Sequence, residues 1–271
     1  MKYKYIKISF IAALILGIII RFAQMFTVTE EITGFFVDEK QRMGWLYLFL
    51  LFVCVIAFTT CAALVARCPL KTPRVSKPLG IASIVAGAFT LIETITYITQ
   101  VSMFNWEKLL LGITGPATAI FFVLYGIKGF RNYIIPRPSY AIPIFYYLVR
   151  LICEFISVSK TALIFQNALN LASLSIVLIF MLEWGKIANN IATEISYKTI
   201  LISGGIAALL CEITAVPELV FLSLKPKAVA HQNPISLVNL AVMGLFIICY
   251  LYRHFKGINP ERKNKTDRSE G

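Results

Sequence analysis

In the stretch "VRLICEFISVSK", Val149 to Lys160, an arginine and a glutamate stand four residues apart inside a run otherwise suited to hydrocarbon. Residues at that spacing share one face of a helix, so Arg150 and Glu154 point into the same space. Arg21 in "IIRFAQMF", Glu93 in "LIETIT", and Glu212 and Glu218 in "LLCEITAVPEL" have comparable apolar surroundings. Two kinds of chemistry suit these residue types. A guanidinium can hold a carboxylate or phosphate through two parallel hydrogen bonds. A carboxyl shielded from water can take up and release a proton, as a proton-coupled carrier requires. Arg21, Glu93, Arg150, Glu154, Glu212 and Glu218 are therefore the candidate substrate- or ion-binding residues.

The elements that must position them follow from composition. Of the 271 residues, 58% are hydrophobic and 15% charged, against about a quarter charged in soluble domains. This is the composition of an integral membrane protein. Apolar runs long enough to cross roughly 30 Å of hydrocarbon lie near 8–26, 44–66, 79–103, 108–127, 141–158, 168–190, 199–223 and 235–253. The expected fold is an all-α polytopic bundle of eight spans, a single domain over 1–255, followed by a basic, disordered cytoplasmic tail over 256–271. The first run follows Lys2, Lys4 and Lys7, yet no small-residue cleavage site succeeds it, so it is expected to stay as a helix.

Orientation is legible in the lysines and arginines. With the N-terminus cytoplasmic, eighteen of them fall on that side and six on the other. The positive-inside rule therefore places both termini in the cytoplasm, and the net charge of +12 reflects this bias rather than nucleic-acid binding. The acidic outward loop "TVTEEITGFFVDEKQRM", with Phe35 and Phe36 at its centre, is either a lid over an outward opening or an ordinary interfacial turn.

Depth follows from the helical rise. Glu93, Arg150 and Glu212 lie roughly 12 to 16 Å below their outer helix ends, and Arg21, Glu154 and Glu218 roughly 6 to 8 Å below theirs. The expectation is a middle layer and an outer layer, each with one arginine and two glutamates. A charge near the bilayer centre costs about 3 kcal/mol, so such groups face a bundle interior and pair there. Arg150 can neutralise Glu93 or Glu212 but not both; burial beside a like charge then favours a proton on the other. A permanently protonated, structural glutamate fits that position equally well. In the outer layer Arg21 has the alternative of snorkelling to the surface, and Glu154 and Glu218 that of reaching interfacial water. Gln24, Thr94, Thr96, Gln100 and Thr214 extend the polar patches. Pro217, and Pro116 within "GITGPAT", mark candidate breaks in spans seven and four of the kind seen in transporters.

"IIRFAQMF" (Ile19 to Phe26) aligns without a gap on "LVRLICEF" (Leu148 to Phe155), and "LIETIT" resembles "LCEIT" (Leu210 to Thr214). Spans one to four would then echo spans five to eight as parallel repeats; chance similarity among apolar helices explains the match as well.

The segment "RFAQMFTVTEEITGFF" (Arg21 to Phe36) resembles the N-terminal segment of uncharacterised multi-pass membrane proteins of Gram-positive anaerobic bacteria. The resemblance implies a bacterial plasma-membrane protein and brings no activity or catalytic residues with it.

The chain has no H-E-x-x-H, no G-x-S-x-G and no glycine-rich phosphate loop. Its six cysteines lie in or at the ends of apolar runs, without a C-x-x-C. No enzyme, cofactor, metal site or disulfide framework is expected. The expected partners are the lipid bilayer and a small polar solute or proton, with no nucleic acid. Two functions fit: a secondary carrier of a small polar or anionic solute, with or without proton coupling, and a sensor or assembly subunit whose charges are structural or bind a ligand without translocation.

Overall fold

The structure, a computed structural model, describes residues 2–30, 36–65, 75–100, 106–131, 134–159, 165–225 and 233–256. Among them are eight long helices: α1 (Lys2–Thr27), α2 (Gln41–Val65), α3 (Lys77–Gln100), α4 (Trp106–Ile127), α5 (Ala141–Ser159), α6 (Phe165–Ala188), α7 (Glu194–Leu224) and α8 (Pro234–Lys256). All eight are long and apolar enough to cross a membrane. Eight such helices are compatible with a multi-pass membrane protein. Large side chains such as Phe49, Phe52, Phe145 and Phe155 are exposed on the outside of the bundle, where lipid replaces water.

Six of the helices close a ring. From α3 to α8 each packs on the next in sequence, and α8 returns to pack on α3. The α1–α2 hairpin lies outside this ring, against α7. Its contact is apolar: Gly17 faces Ile213, Gly205 faces Phe58, and the Phe10 and Phe58 rings meet edge to face at 5.7 Å. α7 is the most enclosed helix, 72% of its apolar window being buried, against 22% for α1 and 17% for α2.

At the α3–α4 seam the two backbones approach closely. A methyl group on Gly126 would sit 2.6 Å from the Gly80 carbonyl oxygen, and one on Gly87 would sit 2.8 Å from that of Ala119. Lipid tails are as apolar as leucine, so helices in a bilayer gain from such close packing of small residues rather than from apolar burial. The Ser83 hydroxyl adds a bond across the seam, donating to the Phe122 carbonyl at 2.6 Å.

Local signals set the helix ends. Asn190 takes φ of 60° just past α6, and the Ile191 N–H bonds back to the Lys186 carbonyl at 3.0 Å. This closes the helix with a left-handed residue, a conformation asparagine tolerates. Thr193 then caps α7 with a reciprocal side-chain contact to Ser196. A single 3-10 turn, Arg137–Tyr140, begins just after Pro136 and feeds α5. The two prolines break nothing: α4 runs through Pro116 and α7 through Pro217. Neighbouring helices tolerate the freed carbonyls, as is common in membrane spans.

The ring differs at its two ends. Lys7 lies 4.9 Å from the Tyr252 ring, so the start of α1 and the end of α8 share one end of the bundle. Near that end Trp184 fills the ring interior, its centroid 4.9 to 6.5 Å from those of Phe121, Phe122, Tyr125, Tyr140, Phe180, Phe246 and Tyr250. This layer is an aromatic plug. The acidic loop contributes no described lid at the other end: Phe36 bridges to Thr29 and packs on Gly44 and Trp45 of α2, outside the ring. Phe35, His231 and the tail from 257 lie outside the described residues.

The seam yields a prediction. Gly126→Leu overpacks α3 against α4 and is expected to cost about 1–3 kcal/mol, read as a lower midpoint of thermal unfolding in detergent. Gly112→Ala, whose added methyl meets only the flexible Ile98 side chain at 3.3 Å, should leave that midpoint within a degree or two.

Candidate functional site

The Arg150 guanidinium on α5 reaches across the ring interior to Glu93 on α3, past the intervening α4, and forms an ion pair of 2.6 Å between Nη2 and Oε1. The same Nη2 donates to the Ser236 hydroxyl on α8 at 2.8 Å. Glu93 Oε2 accepts from the Tyr146 hydroxyl at 3.2 Å and from the Asn239 amide. Asn239 in turn has Thr90 at 3.4 Å, one turn before Glu93. The helical spacing explains the convergence, since Tyr146 and Arg150 are four apart on α5, Thr90 and Glu93 three apart on α3, and Ser236 and Asn239 three apart on α8. Glu93, Arg150, Tyr146 and Asn239 are all buried. Each charge has an opposite charge and neutral donors or acceptors around it, which a buried ion pair needs to offset its desolvation.

Glu154 lies one turn beyond Arg150 on the same face and accepts from the Asn170 amide of α6 at 2.9 Å. It therefore belongs to the ring interior with the Arg150 pair.

A second network ties the hairpin to the ring. Arg21 on α1 donates to Gln24 at 2.5 Å and to Gln166 on α6, and the Gln166 amide donates to Glu218 on α7. The glutamine acts as a neutral bridge between a buried cation and a buried carboxylate. Arg21 and Glu218 are each 3% exposed. Arg21 therefore does not snorkel to the surface; its side chain is directed sideways into protein, because α1 lies against α7 there.

Glu212 stands apart from both networks. Its Oε1 has no hydrogen-bond partner among the described residues and lies where a methyl group on Gly244 of α8 would come within 2.7 Å. The glycine leaves room for the carboxyl. The expected middle layer thus separates: Arg150 is paired with Glu93, while Glu212 faces the α7–α8 seam. Within the outer layer, Arg21 and Glu218 are joined by Gln166, and Glu154 is bound separately by Asn170, one turn further along α6. Depth is a property of one helix. The direction in which a side chain points depends on which helices are neighbours.

Tyr146, Ser236, Asn239, Asn170 and Gln166 are functional candidates that the ionisable residues alone do not reveal. Their signal was present as neutral polar residues three or four apart within apolar runs, in "FQNALN" and "SLVN". Of the polar neighbours that were expected, Gln24 joins the Arg21 network. Thr94 and Thr96 bond their own helix at 2.8 Å, and Thr214 meets Ser173 at 3.3 Å. Glu183 pairs with Lys186 at 2.7 Å, one turn away on α6. Among the described residues no three His, Cys, Asp or Glu side chains are placed to hold a metal ion.

No family model, curated protein or solved structure matches this chain.

The glutamine bridge makes a clear prediction. Gln166→Leu leaves Arg21 and Glu218 buried without their link and is expected to cost about 3–5 kcal/mol. Unfolding measured in bicelles should show the loss, and hydrogen exchange should show it concentrated in α1 and α2. Glu218→Gln, which removes the charge but keeps an acceptor, should cost clearly less.

Proposed function

We propose that this protein is a secondary carrier that binds a small polar solute at the ring interior around Glu93 and Arg150. One observation carries the reading: an ion pair and its neutral partners from three helices, α3, α5 and α8, meet inside a closed ring instead of at a seam between neighbours. A pair needed only to join adjacent helices has no reason to span the interior. The aromatic plug around Trp184 supports the same reading, because a carrier needs one end of its pathway shut while the other is open.

In this proposal Glu212 is the proton-carrying carboxyl, since its Oε1 has no donor among the described residues. The charged groups are engaged only in part: Arg150 uses Nη2 alone for Glu93 and Ser236, and Arg21 uses Nη1 for Gln24 and Nη2 for Gln166, so a polar and an anionic solute both fit the geometry. No catalytic step is proposed. The bias of lysine and arginine supports cytoplasmic termini, and the resemblance of the segment Arg21 to Phe36 supports a bacterial plasma-membrane location. The four-plus-four repeat has mixed support. Arg21 and Arg150, the matched arginines, each turn towards a glutamate-bearing helix of the opposite half, yet α6 packs closely on α7 whereas α2 packs on α1 and α7 and not appreciably on α3.

The second reading, an assembly subunit or sensor, is favoured by the Arg21–Gln166–Glu218 network, whose geometry is that of structural cross-linking. The two readings separate in reconstituted vesicles. A carrier shows solute-dependent uptake across a broad panel, Glu93→Gln abolishes it, and Glu212→Gln keeps exchange while losing accumulation driven by a proton gradient. Absence of uptake for every solute, with full biological function retained in both variants, would count for the subunit instead. Orientation is checked separately: a fluorescent protein fused after Gly271 should fold and fluoresce in bacterial cells, whereas a secreted phosphatase at that position should stay inactive.

A further inference from the structure

Beyond the Arg150 pair, towards the end of the ring away from the plug, the described side chains include two further carboxylates, Glu107 and Glu154. Glu107 stands in the first turn of α4 and accepts a long contact of 3.5 Å from the Tyr97 hydroxyl of α3. Tyr97 and Cys153 both lie within electrostatic reach of Glu107 and of Glu154, and Arg150 within reach of Glu154. Glu107 and Glu154 are half-buried, and neither has an ion-pair partner among the described residues. Arg150 is already balanced by Glu93, so among the described residues this end of the ring carries two carboxylates without an ion-pair partner.

Hydrogen bonding gives an independent indication. Asn170 is 2% exposed and donates to Glu154, but its carbonyl oxygen accepts nothing among the described residues. The Tyr147 hydroxyl, on a residue 1% exposed and within reach of Arg150 and Glu93, is equally without a partner. A buried polar atom in this state costs about 1–3 kcal/mol, so it marks a place where another group belongs. What is missing beside Asn170 is a donor. Two carboxylates and a vacant amide carbonyl ask for a cation rich in N–H bonds.

Geometry narrows the cation. Among the described residues no three metal-ligating side chains are close enough to cage a bare ion. The Tyr97 phenol lies beside Glu107, and the Tyr146 and Tyr147 rings meet edge to face at 5.2 Å, two turns before Glu154 on α5. Aromatic faces suit an ammonium and the methylene stem behind it. We propose that the mouth of the ring binds an organic amine, with an ammonium group between Glu154 and Asn170 and, in a diamine, a second on Glu107. The proposal rests on the carrier reading for its physiological sense, although binding itself does not require transport.

Titration calorimetry on the full chain in phosphatidylcholine nanodiscs at low salt tests it with two probes of equal length and opposite charge, 1,4-diaminobutane and succinate. The expected result is saturable binding of the diamine, at least tenfold weaker in Glu154→Gln and in Glu107→Gln, with no binding of succinate. Unchanged unfolding midpoints of the unliganded variants confirm that the site and not the fold was altered. Binding of succinate alone, binding of neither probe, or diamine affinity unchanged in both variants overturns the proposal. Diamine binding without uptake of any solute into vesicles leaves this inference standing and removes the carrier; uptake of another solute with no amine binding does the reverse.

Discussion

A charged group within hydrocarbon has to find its partners on other helices, because neither water nor its own backbone can supply them. That constraint organises this protein. Arg150 and Glu93 satisfy each other only if α3, α5 and α8 enclose a common space, and the ring of six helices is the arrangement that provides it. Arg21 and Glu218 satisfy each other only if α1 stays on the outside of α7 with Gln166 between them. The first pairing gives the bundle an interior with chemistry in it. The second secures a peripheral hairpin that small-residue and apolar contacts alone would hold weakly.

The interior is asymmetric. Near the chain termini, aromatic rings around Trp184 fill it, and the charged and amide groups occupy the part beyond. Close-packed rings resist gradual deformation, so a path past Trp184 would require helices to shift as units. The glycine seam between α3 and α4 is a natural place for such movement to be limited, since their backbones already touch.

Much of this was legible in the sequence. Hydropathy placed the eight spans within a few residues, because a bilayer imposes one length on every crossing. The burial of Glu93 and Arg150 followed from the high cost of exposing charge to lipid. Azimuth was not legible. Glu212 and Glu93 occur in similar local sequences, "LCEIT" and "LIETIT", yet one faces a glycine at the α7–α8 seam and the other an arginine across the ring. Nothing within a single helix records which neighbour lies on which side. The prolines misled for a related reason: α4 and α7 continue through Pro116 and Pro217, whose freed carbonyls neighbouring helices can accommodate.

The central claim is that the bond between Glu93 and Arg150 across the ring interior is a real energetic link between α3 and α5. A double-mutant cycle on unfolding free energy in bicelles, with Glu93→Gln, Arg150→Leu and the pair, measures it directly. The account predicts that Arg150→Leu alone costs about 3–5 kcal/mol and that it costs at least about 1.5 kcal/mol less when Glu93 is already glutamine. Additive effects, agreeing within about 0.5 kcal/mol, would mean that the two side chains do not meet, and the polar centre would lose its foundation.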